Sequence, residues 1–130
     1  MHASAHTMLR AAVCLLLTAG STAAQQPAPA PPDTTAITPA MVDAGRVIFH
    51  SKGMCFACHG AKLEGTQVAP TLIKTVWKDA KGGDIKAIHY VATHGVPGTV
   101  MVPYPGGITP AEAANVVSYI WSVNNRKVKP

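Results

Sequence analysis

The sequence predicts an all-helical fold of three to four helices, and three observations lead there. Segments starting at Thr38-Pro39 and Thr109-Pro110 open on helix-capping chemistry, and both of these and the segment from Asp84, entered from Gly82-Gly83, continue with apolar residues at helical spacing. No stretch alternates apolar and polar residues over a convincing strand length, and no internal repeat appears. Between the first two helical segments stands Cys55-Phe56-Ala57-Cys58-His59, and the Cys-x-x-Cys-His spacing is that of covalent c-type haem attachment. Two thiols on one turn of chain add to the two vinyl groups of a haem, and the histidine that follows is left facing the iron. The fold class is therefore all-α, wrapped around one covalently attached haem.

The same residues admit other readings, each weaker. A zinc site made of Cys55, Cys58, His89 and His94 would leave about 30 residues between Cys58 and His89, far too many for a zinc finger. A thioredoxin-like redox pair needs a βαβ setting, and the strand-like runs for it are missing. A disulfide between the two cysteines would close a very short loop and leave His59 unexplained.

Of the 130 residues, the first 24 read as a secretory signal peptide. Arg10 supplies a basic start, an apolar run follows through Val13, Cys14 and Leu17, and small residues end at Ala23-Ala24, where cleavage is expected. The apolar run falls short of the roughly 20 residues that a membrane-spanning helix needs. Cys14 invites a lipid anchor, but Val13 before it is not the small residue that such processing wants. Without the signal only Cys55 and Cys58 remain, and the haem consumes both. The remaining chain carries ten Lys plus Arg against six Asp plus Glu, a net charge of +4 before the haem propionates subtract from it. That balance favours an acidic docking face on a redox partner. The lysines are scattered and without aromatic interleaving, which argues against nucleic acid. A chain this small gains from burying a large apolar group at its centre.

Residues 25–37, with Pro27, Pro29, Pro31 and Pro32, read as an extended, disordered leader, and residues 38–130 as the haem domain. The first helix starts with Thr38 as cap and Pro39 in the first turn. It places Val42, Gly45 and Phe49 on one face, where mid-helix Gly45 points to close packing by another helix. Residues 61–76 are loop-like, and the Pro70 carbonyl is a candidate acceptor for the second ring nitrogen of His59, although an ordinary loop proline fits the position as well. Residues 84–94 read as a helix entered from Gly82-Gly83 and left at Gly95, with Ile85, Ile88, Val91 and Ala92 inward and His89 and His94 in surface or capping roles. Residues 95–108 form a loop stiffened by Pro97, Pro103 and Pro105. Thr109-Pro110-Ala111-Glu112 then opens the last helix as a capping box, with Ala113, Val116, Ile120 and Val123 inward and Tyr119 or Trp121 within reach of Gly45.

An electron-transfer haem needs a second axial ligand opposite His59, and a thioether or an imidazole is usual. Met54 adjoins Cys55 and cannot swing to the far face, while Met41 precedes the motif in the first helix. Met101 lies about 40 residues beyond His59, enough chain to return along the other face, in a stiff loop. His94 and His89 remain as alternatives.

Taken together, the first helix with Gly45 and Phe49, Cys55-Phe56-Ala57-Cys58-His59, Val68-Ala69-Pro70-Thr71-Leu72, Gly98-Thr99-Val100-Met101 and Val116-Val117-Ser118-Tyr119-Ile120 resemble a small class I cytochrome c over residues 38–123. One departure is visible, since Val102 stands where many members have proline directly after the ligand methionine. The resemblance implies thioethers at Cys55 and Cys58, His59 as proximal and Met101 as distal ligand, and contact between first and last helices at Gly45 and Tyr119. It implies a single-electron carrier cycling between Fe(III) and Fe(II), not an enzyme by itself, serving a donor dehydrogenase and an acceptor oxidase or reductase, and the signal peptide sends it to the periplasm. A rival expectation makes the chain a cytochrome subunit of a periplasmic dehydrogenase or oxidase. A gas-binding haem would need an open sixth position, which Met101 opposes.

Overall fold

The structure is a computed structural model that describes residues 30, 32–73, 77 and 79–130. The expected signal peptide, nearly all of the proline-rich leader through residue 31, and residues 74–76 of the loop lie outside the described residues. Among the described residues four α-helices follow in order: α1 (Pro39–Phe49), α2 (Cys55–His59), α3 (Ile85–His94) and α4 (Pro110–Asn124), with 3₁₀ turns at Lys81–Gly83 and Pro105–Gly107. No strand occurs among the described residues, and none of their helices is long and apolar enough to cross a membrane.

Helix α1 starts where the Thr38 hydroxyl accepts the Met41 amide at 3.2 Å, with Pro39 in the first turn where its missing N–H costs nothing. Its buried face is Val42, Gly45 and Phe49. That face crosses α4, and a Cβ at Gly45 would lie 2.0 Å from the Asn115 carbonyl oxygen, so only glycine permits the approach. Of the two aromatic candidates on α4 it is Tyr119 that meets this notch. Phe49 and Tyr119 are both fully buried and pack edge to face, with ring centroids 5.7 Å apart. Burying a phenylalanine so completely contributes about 1.5–3 kcal/mol. The Arg46 guanidinium lies 5.4 Å over the Tyr119 ring and donates to the Lys129 carbonyl at 2.9 Å, which draws the chain's end back onto α1.

Helix α4 opens with the full capping box: the Thr109 hydroxyl accepts the Glu112 amide at 3.2 Å, and the Glu112 carboxylate accepts the Thr109 amide at 2.7 Å. Ala113, Val116, Ile120 and Val123 are buried as the stripe predicts. Asp84 caps α3 by accepting the Lys86 and Ala87 amides, both at 3.0 Å. Ile85, Ile88 and Ala92 are buried as the spacing predicts, but so is His89, which the sequence placed at the surface. The reason is positional: His89 stands four residues after Ile85 and three before Ala92, on the helix face that these residues bury. Burial, and then the charge of His94, hold the His89 imidazole below the ordinary histidine range.

Candidate haem site

Helix α2, not foreseen as a helix, is one turn entered through Met54 in the left-handed conformation (φ 49°). It holds Cys55, Cys58 and His59 on the wall of an apolar cavity of about 330 Å³. His50, at the C-terminal end of α1, has its two ring nitrogens facing the Arg46 and Ala61 carbonyls at 2.9 and 2.8 Å and ties the helix end to the chain just beyond His59. Burial keeps the Cys55 thiol protonated, with its pKa pushed up to about 11.

After the motif the chain folds back on itself. Gly65 donates to the His59 carbonyl at 2.7 Å, the Thr66 hydroxyl to the Cys58 carbonyl at 2.7 Å, and Leu72 to the Leu63 carbonyl at 2.7 Å. Gly65, at φ 85°, lets this happen: a Cβ there would sit 2.4 Å from the Thr71 amide nitrogen. The turn sets the Pro70 carbonyl 2.8 Å from Nδ1 of His59, which donates to it. Burial lowers the His59 pKa, while the bond to Pro70 works in the opposite sense. The result is a neutral imidazole whose Nδ1 is occupied and whose Nε2 lone pair is left for a metal.

Met101 lines the same cavity from the opposite loop, and its backbone is gripped on both sides. Its amide donates to the Thr99 hydroxyl at 3.1 Å, and its carbonyl accepts the Val96 amide at 2.9 Å. The Thr99 hydroxyl in turn donates to the Val96 carbonyl at 2.8 Å. Gly95 closes against this turn, where a Cβ would lie 2.4 Å from the Met101 carbonyl oxygen. Tyr104 donates to the Ala92 carbonyl at 3.0 Å and fastens the loop to α3. Sequence reasoning missed Thr99 as the organiser of this turn. A threonine two residues before the methionine, able to bond the backbone two positions on, was the available signal.

The structure thus brings Cys55, Cys58, His59, Pro70 and Met101 to the wall of one cavity, from different elements. His89 and His94 are not on that wall. Nε2 of His89 is buried without a partner, and the exposed His94 stacks on Tyr90 at 4.0 Å while its Nδ1 contacts the Tyr90 carbonyl at 3.0 Å. Leu72, Ile88, Val116 and Ile120 supply apolar lining. Two thiols and an imidazole presenting one free nitrogen, set in apolar walls, are what covalent attachment of a c-type haem needs, a thioether stands on the same cavity, and the residues present fit the group.

A helical fold closed on this donor set defines the class I, monohaem cytochromes c. Residues 40–120, well over half the chain, match the family model described as cytochrome C oxidase, cbb3-type, subunit III, and the chain belongs to that family. Membership brings covalently bound haem c with its iron, and a place in electron transport. Among solved structures, cytochrome cL from the marine methylotrophic bacterium Methylophaga aminisulfidivorans is 24% identical with a TM-score of 0.58, over 65% of this chain and 56% of that one. Cytochrome c6 from the diatom Phaeodactylum tricornutum is 28% identical with a TM-score of 0.54, over 67% of this chain and 98% of that one. A chain of the reducing HAO-like protein complex of Kuenenia stuttgartiensis is 19% identical with a TM-score of 0.58, over 72% of this chain and 46% of that one. The chain thus spans about half the length of the first and third of these, 56% and 46%. A comparison with curated protein sequences finds no match.

Proposed function

We propose that the protein is a periplasmic single-electron carrier, with haem thioethers at Cys55 and Cys58, His59 as the proximal iron ligand and Met101 as the distal one. The observation that carries this reading is the convergence of those four side chains on one apolar cavity, with His59 already bonded to Pro70 and Met101 on a pinned loop. When bound, haem supplies the one-electron couple of its iron. The chain's own residues do the rest. The Pro70 carbonyl holds the Nδ1 proton of His59, fixing the ring and raising the basicity of Nε2. The cavity walls are largely apolar, and a thioether donor favours the reduced state and so a higher potential.

The partners are redox proteins, a donor dehydrogenase and an acceptor oxidase or reductase, drawn to the mildly basic chain by an acidic docking face. A second reading, a cytochrome subunit of a periplasmic oxidoreductase complex, is favoured by the description of the matching family and by the complex from Kuenenia stuttgartiensis. The exported protein distinguishes them: a free carrier runs at the native mass of one chain, and a subunit co-purifies with its complex. Its intact mass should include one haem that survives denaturation, and its N-terminus should begin at Ala24 or Gln25 after removal of the signal peptide. An unmodified chain would overturn the haem attachment, and a retained Met1 in the cytoplasm would overturn the export. A reduced-minus-oxidised spectrum that does not respond to carbon monoxide supports a filled sixth position, and a strong response removes it.

A further inference from the structure

The two loops that carry the site meet along a seam that the haem reading does not use. On one side are Lys52 and Gly53, just before Cys55. On the other are the 3₁₀ turn Pro105–Gly107, which closes the methionine loop, and the first turn of α4. Gly106, at φ 66°, lies so near this backbone that a Cβ would sit 1.9 Å from the Lys52 carbonyl oxygen and 3.2 Å from the Gly53 Cα. Beside it Lys52 Nζ reaches Glu112 Oε2 at 2.7 Å, the one ion pair among the described residues. That same oxygen accepts the Thr109 amide at 2.7 Å. One carboxylate therefore fixes the end of the methionine loop and holds the attachment loop. Gly53 and Pro105 both line the cavity, so the seam is part of its wall.

We propose that Lys52, Glu112 and Gly106 are positioning residues that latch the methionine loop to the attachment loop and set the rate at which Met101 yields its place to an external ligand. The proposal rests on the His59 and Met101 ligation given above. An exposed ion pair adds little to global stability. Local opening is governed by local contacts only, and a loop fastened at few points opens far below the cost of global unfolding. The methionine loop is fastened to α3 through Tyr104 and to the attachment loop through this seam. Parting the seam frees the side of the cavity from which Met101 approaches, so the seam acts on ligand exchange more than on melting.

The test uses the ferric holoprotein with imidazole as the entering ligand, and follows the rate at which the far-red thioether-to-iron band disappears. Amide hydrogen exchange at Gly107, which donates to the Tyr104 carbonyl at 2.9 Å, is followed in parallel. Lys52→Ala removes the cation. Glu112→Gln removes the charge but keeps an acceptor for the Thr109 amide, which separates latching from helix capping. Each should speed imidazole entry about two- to fivefold, the range that an exposed pair supports. The double variant should be no faster than the faster single, since both remove one interaction. Lys52→Arg should keep the parent rate, as should Lys86→Ala, which removes an exposed lysine away from the seam. Gly106→Ala, which forces the two backbones apart, should act more strongly than any of these. Gly107 exchange should quicken in step. Parent-like imidazole entry and Gly107 exchange in the double variant, or effects of the singles that simply multiply, would overturn the latch. A parent protein lacking the thioether band would overturn the ligation instead, and the Gly107 exchange would then decide the latch alone.

Discussion

Met101 reaches the cavity from a turn that is specified by backbone bonds to Thr99 and Val96 and by the absence of a side chain at Gly95, so its sulfur is delivered by the loop and not by a helix face. His94 is occupied elsewhere, stacked on Tyr90 at the surface. On the proposed ligation, Met101→Ala should remove the far-red thioether band of the ferric protein, speed the binding of cyanide, and lower the reduction potential, because a thioether donor favours reduced iron. His94→Ala should leave the band and the potential unchanged. Optical spectra and protein-film voltammetry of the two variants check this, and the reverse pattern would mean bis-histidine ligation. At this scale the attachment pentapeptide was legible because covalent chemistry fixes its spacing. Thr99 was not, since its hydroxyl matters only once the chain has turned back on itself.

Between elements the decisive contact is the crossing of α1 and α4 at Gly45. A methyl group there would meet the Asn115 carbonyl oxygen at 2.0 Å and Tyr119 Cβ at 2.9 Å, and helix backbone cannot yield as a flexible side chain can. Gly45→Ala gains helix propensity of about 1 kcal/mol. It should nevertheless destabilise the protein by roughly 1–3 kcal/mol, the usual cost of overpacking, seen as a lower urea midpoint. An unchanged or raised midpoint would show that the two helices separate freely. The sequence made α1, α3 and α4 legible because each begins with a cap and carries a stripe, so local and tertiary preferences agree. Helix α2 was hidden because five residues entered through a left-handed Met54 carry neither signal. His89 was misplaced for a different reason. At four residues after Ile85 and three before Ala92 it shares their buried face, and only its polar ring argued for the surface.

Over the whole molecule, His89 and Glu112 are two of the groups through which acid should act, in two pH windows, and burial lowers His59 in the upper window as well. Burial, with a smaller contribution from the charge of His94, lowers the His89 pKa from 6.5, so the unfolded chain takes up this proton more readily than the folded one. The stability tied to neutral His89 is complete above pH 6.5 and declines as pH falls below it. Glu112 is lowered from 4.5 to about 2, first by the bond from Lys52 and then by the Thr109 amide. Its charged form belongs to the folded state, so its contribution is complete above pH 4.5 and is lost as pH falls from there through about 2. The thermal midpoint of the holoprotein, followed from pH 7 to pH 2, should therefore fall in two stages, the lower one small because the Lys52 pair is exposed. His89→Gln should flatten the upper stage and leave the lower one, and Glu112→Gln should do the opposite. The sites lie on different elements and share no partner, so the double variant should show both changes added. A His89→Gln profile parallel to the parent between pH 6.5 and 4.5 would place the upper stage on another group and remove buried, neutral His89 from the account of the protein's acid sensitivity.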